Sequence, residues 1–253
     1  MRRLHPDAAD LELAALYAGL TLPDRGPSRP WWVAMCMVSS VDGAASTDGV
    51  SGGLGGEADR LALSRLRGAG DVVLVGAATV RQEGYGPLVG SAERRADRRA
   101  RGLAEVPRLA IVTASGELDP TSAPFTHPQQ RPLVLTTRPA ADRVRDRLGD
   151  VADVVAAGEE QVEPTTALAH LARLGLSRIV CEGGPRLNSQ LLGAGLVDEV
   201  FLTVGPLTVA GGAPRIAQGG TERPGPLRLE SVFEHDGDLL LRYREPGTPP
   251  VAR

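Results

Sequence analysis

The feature that most constrains this chain is a recurring alternation: short, unbroken runs of Val, Ile, Leu and Ala separated by stretches with apolar residues at helical spacing. The runs cover residues 32–38, 71–75, 109–113, 132–137, 152–155 and 178–181. They lack the every-second-residue polarity of a half-exposed strand, so they predict strands covered on both faces in a largely parallel sheet. Between them, residues 57–68, 77–82, 140–148, 165–174 and 185–194 predict helices, several with glycine near an end. After Gly195 the pattern changes. Residues 197–204 read as a strand and 205–226 as a Gly/Pro-rich connection. Residues 227–234 and 238–244 flank an Asp236-Gly237 turn signal, which predicts an antiparallel hairpin at the end of an α/β sheet. Residues 1–30 read as an N-terminal extension, 31–245 as one domain and 246–253 as a frayed tail.

Composition removes several functions. All 28 basic residues are arginine, so a Schiff-base lysine, a pyridoxal phosphate anchor and a phosphate loop ending in Lys are excluded. A net charge of -3 and 3% aromatic residues offer neither the attraction nor the stacking surface that nucleic acid requires. Cys36 and Cys181 each sit in an apolar run, which suits buried thiols in a reducing cytoplasm. The N-terminus lacks an apolar segment behind its arginines, and no stretch is long enough to cross a membrane. His5, His127, His170 and His235 have no metal-ligand spacing, so no metal site is predicted. The run from Glu93 to Arg101, ERRADRRAR, reads as a solvated surface segment with no assigned role.

Three segments can carry chemistry. Residues 39–56, SSVDGAASTDGVSGGLGG, form a glycine-dense loop whose backbone can approach a planar ligand or close over one. Within it Gly49-Val50-Ser51-Gly52-Gly53 matches G-x-S-x-G, which keeps a serine hydrolase using Ser51 as an alternative. A nucleophile elbow, however, sits directly between strand and helix, and here a loop intervenes. LVGAATV, residues 74–80, reads as a strand ending at Gly76 and a helix start, a natural anion site. CEGGPRL, residues 181–187, repeats that logic more strongly, with Gly183 and Gly184 before Pro185 at a first helical position. Two such turns on one sheet point to a dinucleotide or phosphorylated ligand beyond the strand ends.

These residues, with AMCMVSSVDG at 34–43, Leu66-Arg67 and LLGAGLVDEV at 191–200, resemble the reductase domain of bacterial riboflavin biosynthesis. The resemblance spans about residues 31–243 and implies a dihydrofolate reductase-like fold, NADPH as cofactor, and a phosphoribosylamino pyrimidine as substrate. The zinc deaminase that precedes this domain in bifunctional enzymes has no counterpart motif here. By position, the resemblance implies Ser39, Gly53, Leu54, Gly76, Thr79 and Glu83 as cofactor neighbours. It places Gly183, Gly184, Pro185, Arg186, Leu187 and Asn188 around the pyrophosphate, and Thr113 and Ser115 at the adenosine ribose and 2′-phosphate. Ser51, Arg67 and Glu182 fall at substrate positions. Asp42 and Glu182 are the proton-donor candidates beside a bound water, and Asp42 either meets the pyrimidine edge or caps its own loop.

The chain also departs from the family's pattern. Cys36 stands at a usual lysine, Gly53 at an aromatic residue, and Gly90 at the arginine that grips the substrate phosphate. A pterin or dihydrofolate substrate is therefore an alternative, as is a non-catalytic NADPH-binding protein. A homodimer is implied by the resemblance.

Overall fold

The computed structural model describes residues 1–23, 25–127, 131–220 and 222–248. Eleven strands form one sheet. In chain order they are β1 (Arg2–His5), β2 (Ala9–Asp10), β3 (Trp32–Ser40), β4 (Val72–Gly76), β5 (Arg108–Val112) and β6 (Leu133–Thr136). There follow β7 (Asp153–Ala156), β8 (Arg178–Cys181), β9 (Glu199–Gly205), β10 (Arg228–His235) and β11 (Asp238–Arg244). The helices are α1 (Glu57–Ala69), α2 (Ala77–Glu83), α3 (Ala92–Ala100), α4 (Ala123–Thr126), α5 (Arg138–Leu148), α6 (Pro164–Arg173) and α7 (Pro185–Gly193).

The spatial order is β2-β1-β10-β11-β9-β3-β8-β4-β5-β6-β7. From β9 to β7 every pairing is parallel, and from β2 to β9 every pairing is antiparallel. The predicted α/β architecture is thus the observed one, and each predicted strand lies within two residues of its place. The reason the parallel strands lack alternation is visible in β3. Trp32 and Ala34 pack with α1 and α5 on one face, while Val33 and Met35 pack with α6 and α7 on the other. The final hairpin turns on Asp236 and Gly237, both at positive φ, as its Asp-Gly signal requires.

Residues 1–30 do more than precede the fold. Arg2–His5 pairs with β10, and Leu16, Tyr17, Leu20 and Leu22 are buried in the main core. Tyr17 meets Phe201 and Phe233 edge-on at centroid distances of 5.2 and 5.6 Å, an arrangement aromatic quadrupoles favour. Residues 249–253 of the predicted tail lie outside the described residues.

Two acidic residues of LLGAGLVDEV explain why that segment carries charge into a core. Asp198 is buried and accepts from the Val33 amide at 2.7 Å and from Arg25 and Arg29. Glu199 accepts from Arg242 at 2.6 Å and Arg244 at 2.8 Å. Buried carboxylates persist only when paired in this way. Together they key β9 to β3 and to β11.

The arginine run corrects the reading of residues 93–101 as a solvated surface. It is α3, and Arg98 is 1% exposed. Its guanidinium donates to the carbonyls of Arg67, Gly68, Gly70 and Ala104 at 2.8–3.0 Å. The first three belong to the C-terminal end of α1, where carbonyls have no intrahelical partner and a cation is favoured. Burial brings the Arg98 guanidinium down to about 10. Arg94 bonds Ser64, and Arg95 bonds the carbonyls of Val89 and Gly90. The run braces the fold. Among the described residues no helix is long and apolar enough to cross a membrane.

Candidate functional site

A cavity of about 810 Å³ opens where β3, β4 and β8 end, at the carboxyl edge of the parallel sheet, the place where such sheets bind ligands. Strand β3 supplies Cys36, Met37 and Val38, and α1 supplies Asp59, Leu63 and Arg67. The turns after β4 and β8 supply Thr79, Glu83, Tyr85, Glu182, Gly184 and Pro185. Residues 45–51 and 209–214 form the remaining wall.

The two glycine turns are interlocked. The Gly76 amide donates to the Gly183 carbonyl at 2.7 Å. A Cβ on Gly184 would lie 2.7 Å from Thr79 Oγ1, and one on Gly76 would lie 3.4 Å from the Gly184 nitrogen. Gly183 has φ +85, and the Gly183–Gly184 peptide is cis. A side chain at Gly184 would press on Thr79, and the positive φ of Gly183 favours glycine, which is why glycine recurs here. Helix α7 then begins at Pro185 with no side-chain cap. The first-turn amides of Arg186 and Leu187 therefore have no intrahelical acceptor, and the positive end of the helix faces the cavity.

At the floor, Glu182 gathers three donors. Arg67 Nε and one terminal nitrogen approach its two oxygens at 2.7 Å each, and the Tyr85 hydroxyl approaches at 2.6 Å. The Arg67 guanidinium lies 5.5 Å from the Tyr85 ring centroid. Burial works against the Arg67 charge, but the hydrogen bonds and charge of Glu182 outweigh it and hold the guanidinium protonated. Burial, then the Glu182 carboxylate, push the Tyr85 hydroxyl well above its ordinary range. Glu182 is thus an acceptor already engaged by three donors, an arrangement that fixes its orientation in the floor.

The sequence-predicted residues separate into groups. Ser51, Arg67, Thr79, Glu83, Glu182, Gly184 and Pro185 line the cavity. Gly76 and Gly183 stand directly behind it as the interlocked backbone. Ser39 is buried in β3, and Leu54 packs its carbonyl against Gly205, with Gly53 beside Thr47. Thr113 and Ser115 lie at and after the end of β5, next in the sheet to β4, and their hydroxyls accept from the amides of Gly116 and Glu117. Arg186 faces a second hollow between α7 and Gln218, Gly219, Gly220, Glu222 and Arg223. Leu187 is core. Asn188 is fully buried, its amide donating to the Ile216 carbonyl at 2.7 Å and accepting from Cys181 Sγ, so its side chain braces the turn.

Asp42 resolves to one of its two readings. It is exposed, outside the cavity wall, and accepts from the amides of Val209 at 3.1 Å and Ala210 at 2.7 Å and from the Ser40 hydroxyl. It caps the connection after β9 and holds no position for proton donation in the cavity. The Ser40 hydroxyl first, then those amides, hold its carboxyl down to about 2 from 3.8. A depressed folded-state value means that the clamp contributes above the unfolded-state value and is lost as pH falls toward 2. Thermal melts of the wild type and Asp42→Asn should therefore differ at pH 7 and converge near pH 2. An equal difference at both pH values contradicts the clamp.

Ser51 is not a nucleophile elbow. Its amide donates to Glu83 Oε1 at 2.7 Å inside a loop that neither ends a strand nor starts a helix, and no histidine lines the cavity. Among the described residues no group of His, Cys, Asp and Glu is placed to hold a metal. Sequence reasoning missed Asp59, Tyr85, Met37 and the 209–214 wall. Tyr85 is one of three tyrosines, a scarcity that was its sole signal.

A mostly parallel sheet with an antiparallel extension, and a cavity at its carboxyl edge beside two interlocked glycine turns, place the chain in the class of dihydrofolate reductase-like folds. The chain belongs to the RibD C-terminal domain family, whose model matches residues 31–241. It is 34% identical over 164 residues, 64% of this chain and 74% of the relative, to the 2,5-diamino-6-ribosylamino-4(3H)-pyrimidinone 5′-phosphate reductase of Archaeoglobus fulgidus. To the reductase of the same name from Methanothermobacter thermautotrophicus it is 29% identical over 239 residues, 87% of this chain and 100% of the relative. Among solved structures, a pyrimidine reductase-like protein of Corynebacterium diphtheriae superimposes with a TM-score of 0.81 at 29% identity, covering 92% of this chain and 97% of that one. A nicotinamide nucleotide is the cofactor that membership in this reductase family implies.

Proposed function

We propose that the chain is an NADPH-dependent reductase of a ribosylamino pyrimidine in riboflavin biosynthesis. The observation that carries this reading is the pair of interlocked glycine turns opening onto the uncapped start of α7, directly beside the Arg67–Glu182–Tyr85 floor. The turns fit a pyrophosphate, because a Cβ at Gly184 would fill the cradle and the free amides of α7 favour an anion. Thr113 and Ser115, one strand further out, suit the 2′-phosphate and support NADPH over NADH. When bound, the reduced nicotinamide supplies hydride; the protein's own share is to orient the two reactants, exclude water and place a proton. Glu182, held by its three donors, keeps one acceptor position free for an N–H group of a diaminopyrimidine.

The names of the two archaeal relatives support the same substrate class. The test follows NADPH oxidation by the purified chain with the ribosylamino pyrimidine phosphate, with dihydrofolate and with NADH replacing NADPH. Turnover is expected with NADPH and the pyrimidine, and at least tenfold less in the other two arms. Turnover confined to dihydrofolate, or none at all, contradicts the reading. We further propose, from family resemblance alone, that the chain forms a homodimer, which sedimentation will check.

A further inference from the structure

The polar groups on the cavity wall can be sorted by whether their protons are available. Glu182 already accepts from three donors. The Tyr85 proton is committed to Glu182. Arg67 is held charged by the same carboxylate. Glu83 accepts the Ser51 amide at 2.7 Å. The Cys36 thiol, pushed well up by burial and by the nearby carboxylates of Asp59 and Glu182, is a poor acid. Asp48 is exposed at the rim. One acid remains.

Asp59 sits in the first turn of α1, beside Cys36 of β3, on the cavity wall. The groups that face it are few. Thr203 of β9 offers a hydroxyl hydrogen bond, Asp238 of β11 offers a second carboxylate, and Arg60 of its own helix offers a cation. Asp238 is itself committed, accepting the Gly56 amide at 2.8 Å. Burial first, then Asp238, raise the Asp59 carboxyl above its ordinary range, while Thr203 and Arg60 oppose that. Thr203 and the more distant Arg60 are the groups that favour the anion; among the described residues no salt bridge and no backbone amide holds the Asp59 carboxylate, in contrast to Glu182 and Asp42.

We propose that Asp59 is the proton donor of the reduction, an inference that rests on the reductase reading above. The substrate carbon of a C=N group gains hydride from the reduced nicotinamide nucleotide, the π pair moves to nitrogen, and that nitrogen takes the proton of the Asp59 carboxylic acid. The cofactor leaves oxidised, and Asp59 is left as a carboxylate that solvent reprotonates through the open cavity mouth. The place of Asp59 on the cavity wall, screened from arginine and backbone-amide contacts, suits this role, and burial acts in the same direction by favouring the protonated form.

The test has two arms on the full chain. In the first, Asp59→Asn is compared with the wild type for kcat across pH 5–9, with NADPH binding measured by fluorescence as the control for folding. A fall in kcat of about 100-fold or more is expected, with NADPH affinity within twofold. The wild-type decline of kcat with rising pH should flatten in the variant. Retained kcat, or an unchanged pH slope, overturns the proposal. The second arm does not depend on turnover: carbon-13 NMR of aspartate-labelled wild type, with Asp59→Asn identifying the signal, reads the titration of the carboxyl directly. Titration above 3.8, shifting when NADPH is added, supports the assignment. Titration at or below 3.8, or insensitivity to NADPH, overturns it. A chain that oxidises no NADPH with any pyrimidine refutes the functional reading, while the NMR arm still decides on Asp59.

Discussion

Glu182→Ala is expected to lower the unfolding free energy by about 3–5 kcal/mol, the loss typical when one partner of a buried ion pair is removed. The side chains of Arg67 and Glu182 are only 21% and 6% exposed, so water does not replace the lost acceptor well. The alanine strands a guanidinium and the Tyr85 hydroxyl together, both of which spend their hydrogen bonds on this one carboxylate. Catalysis should fall further than stability explains. At a temperature where the variant is still folded, kcat/KM is expected to drop by about 100-fold or more, about 2.8 kcal/mol of transition-state stabilisation. Glu182→Gln keeps the shape and one acceptor oxygen but places an amide donor against a donor, and it should lie between the two. Urea melts and steady-state assays on the same preparations separate the effects. A variant with wild-type stability would show that the floor is not held as described.

The second large effect lies outside the cavity. Arg98→Met is expected to destabilise the chain by about 3–5 kcal/mol, since it leaves four buried or half-buried carbonyls without their donor at about 1–3 kcal/mol for each that water cannot reach. Methionine fills much of the volume, so the loss reports the hydrogen bonds more than a cavity. For a chain of this size that corresponds to a fall in Tm of about 10 °C. Because Arg98 holds the carbonyl of Arg67 itself, the variant should also raise KM for the pyrimidine while leaving NADPH affinity near the wild-type value. A change in Tm of a degree or less would return α3 to the status of a solvated surface helix.

That helix shows where sequence reasoning stops. A run of like charges ordinarily marks a surface, and nothing local to ERRADRRAR shows that the end of α1, some 30 residues earlier, leaves carbonyls needing a cation. The central strands are legible because burial on both faces imposes a continuous apolar run on any sequence that meets it, as in VVLV at 72–75 and RIVC at 178–181. The strands β1 and β2 are not, because RRLH and AD are too short for any period and pair only with a strand more than 200 residues away or with each other.

In the site, the glycine turns are legible because each needs a residue type that few others can replace, and Gly76 and Gly183 meet through their backbones as two turns on one sheet suggest. Asp59 and Tyr85 escape because a single carboxylate in a helix and a single tyrosine in a loop carry no pattern; only the fold brings them to the same wall. Asp42 and Asn188 differ in the opposite direction: sequence left the path of their partners open. Their positions match the family pattern, yet their side chains satisfy backbone groups of residues 209–216, a segment whose Gly/Pro-rich sequence shows a connection and not its path.

We propose that the interlocked turns at Gly76 and Gly183–Gly184 hold the phosphates of a reduced nicotinamide carrier against the Glu182 floor. In a crystal structure of the chain with NADPH, pyrophosphate density is expected on the amides at the start of α7, with the nicotinamide ring over the wall that carries Asp59 and Glu182. Nucleotide bound elsewhere, with both turns vacant at a concentration that saturates the enzyme, would contradict it.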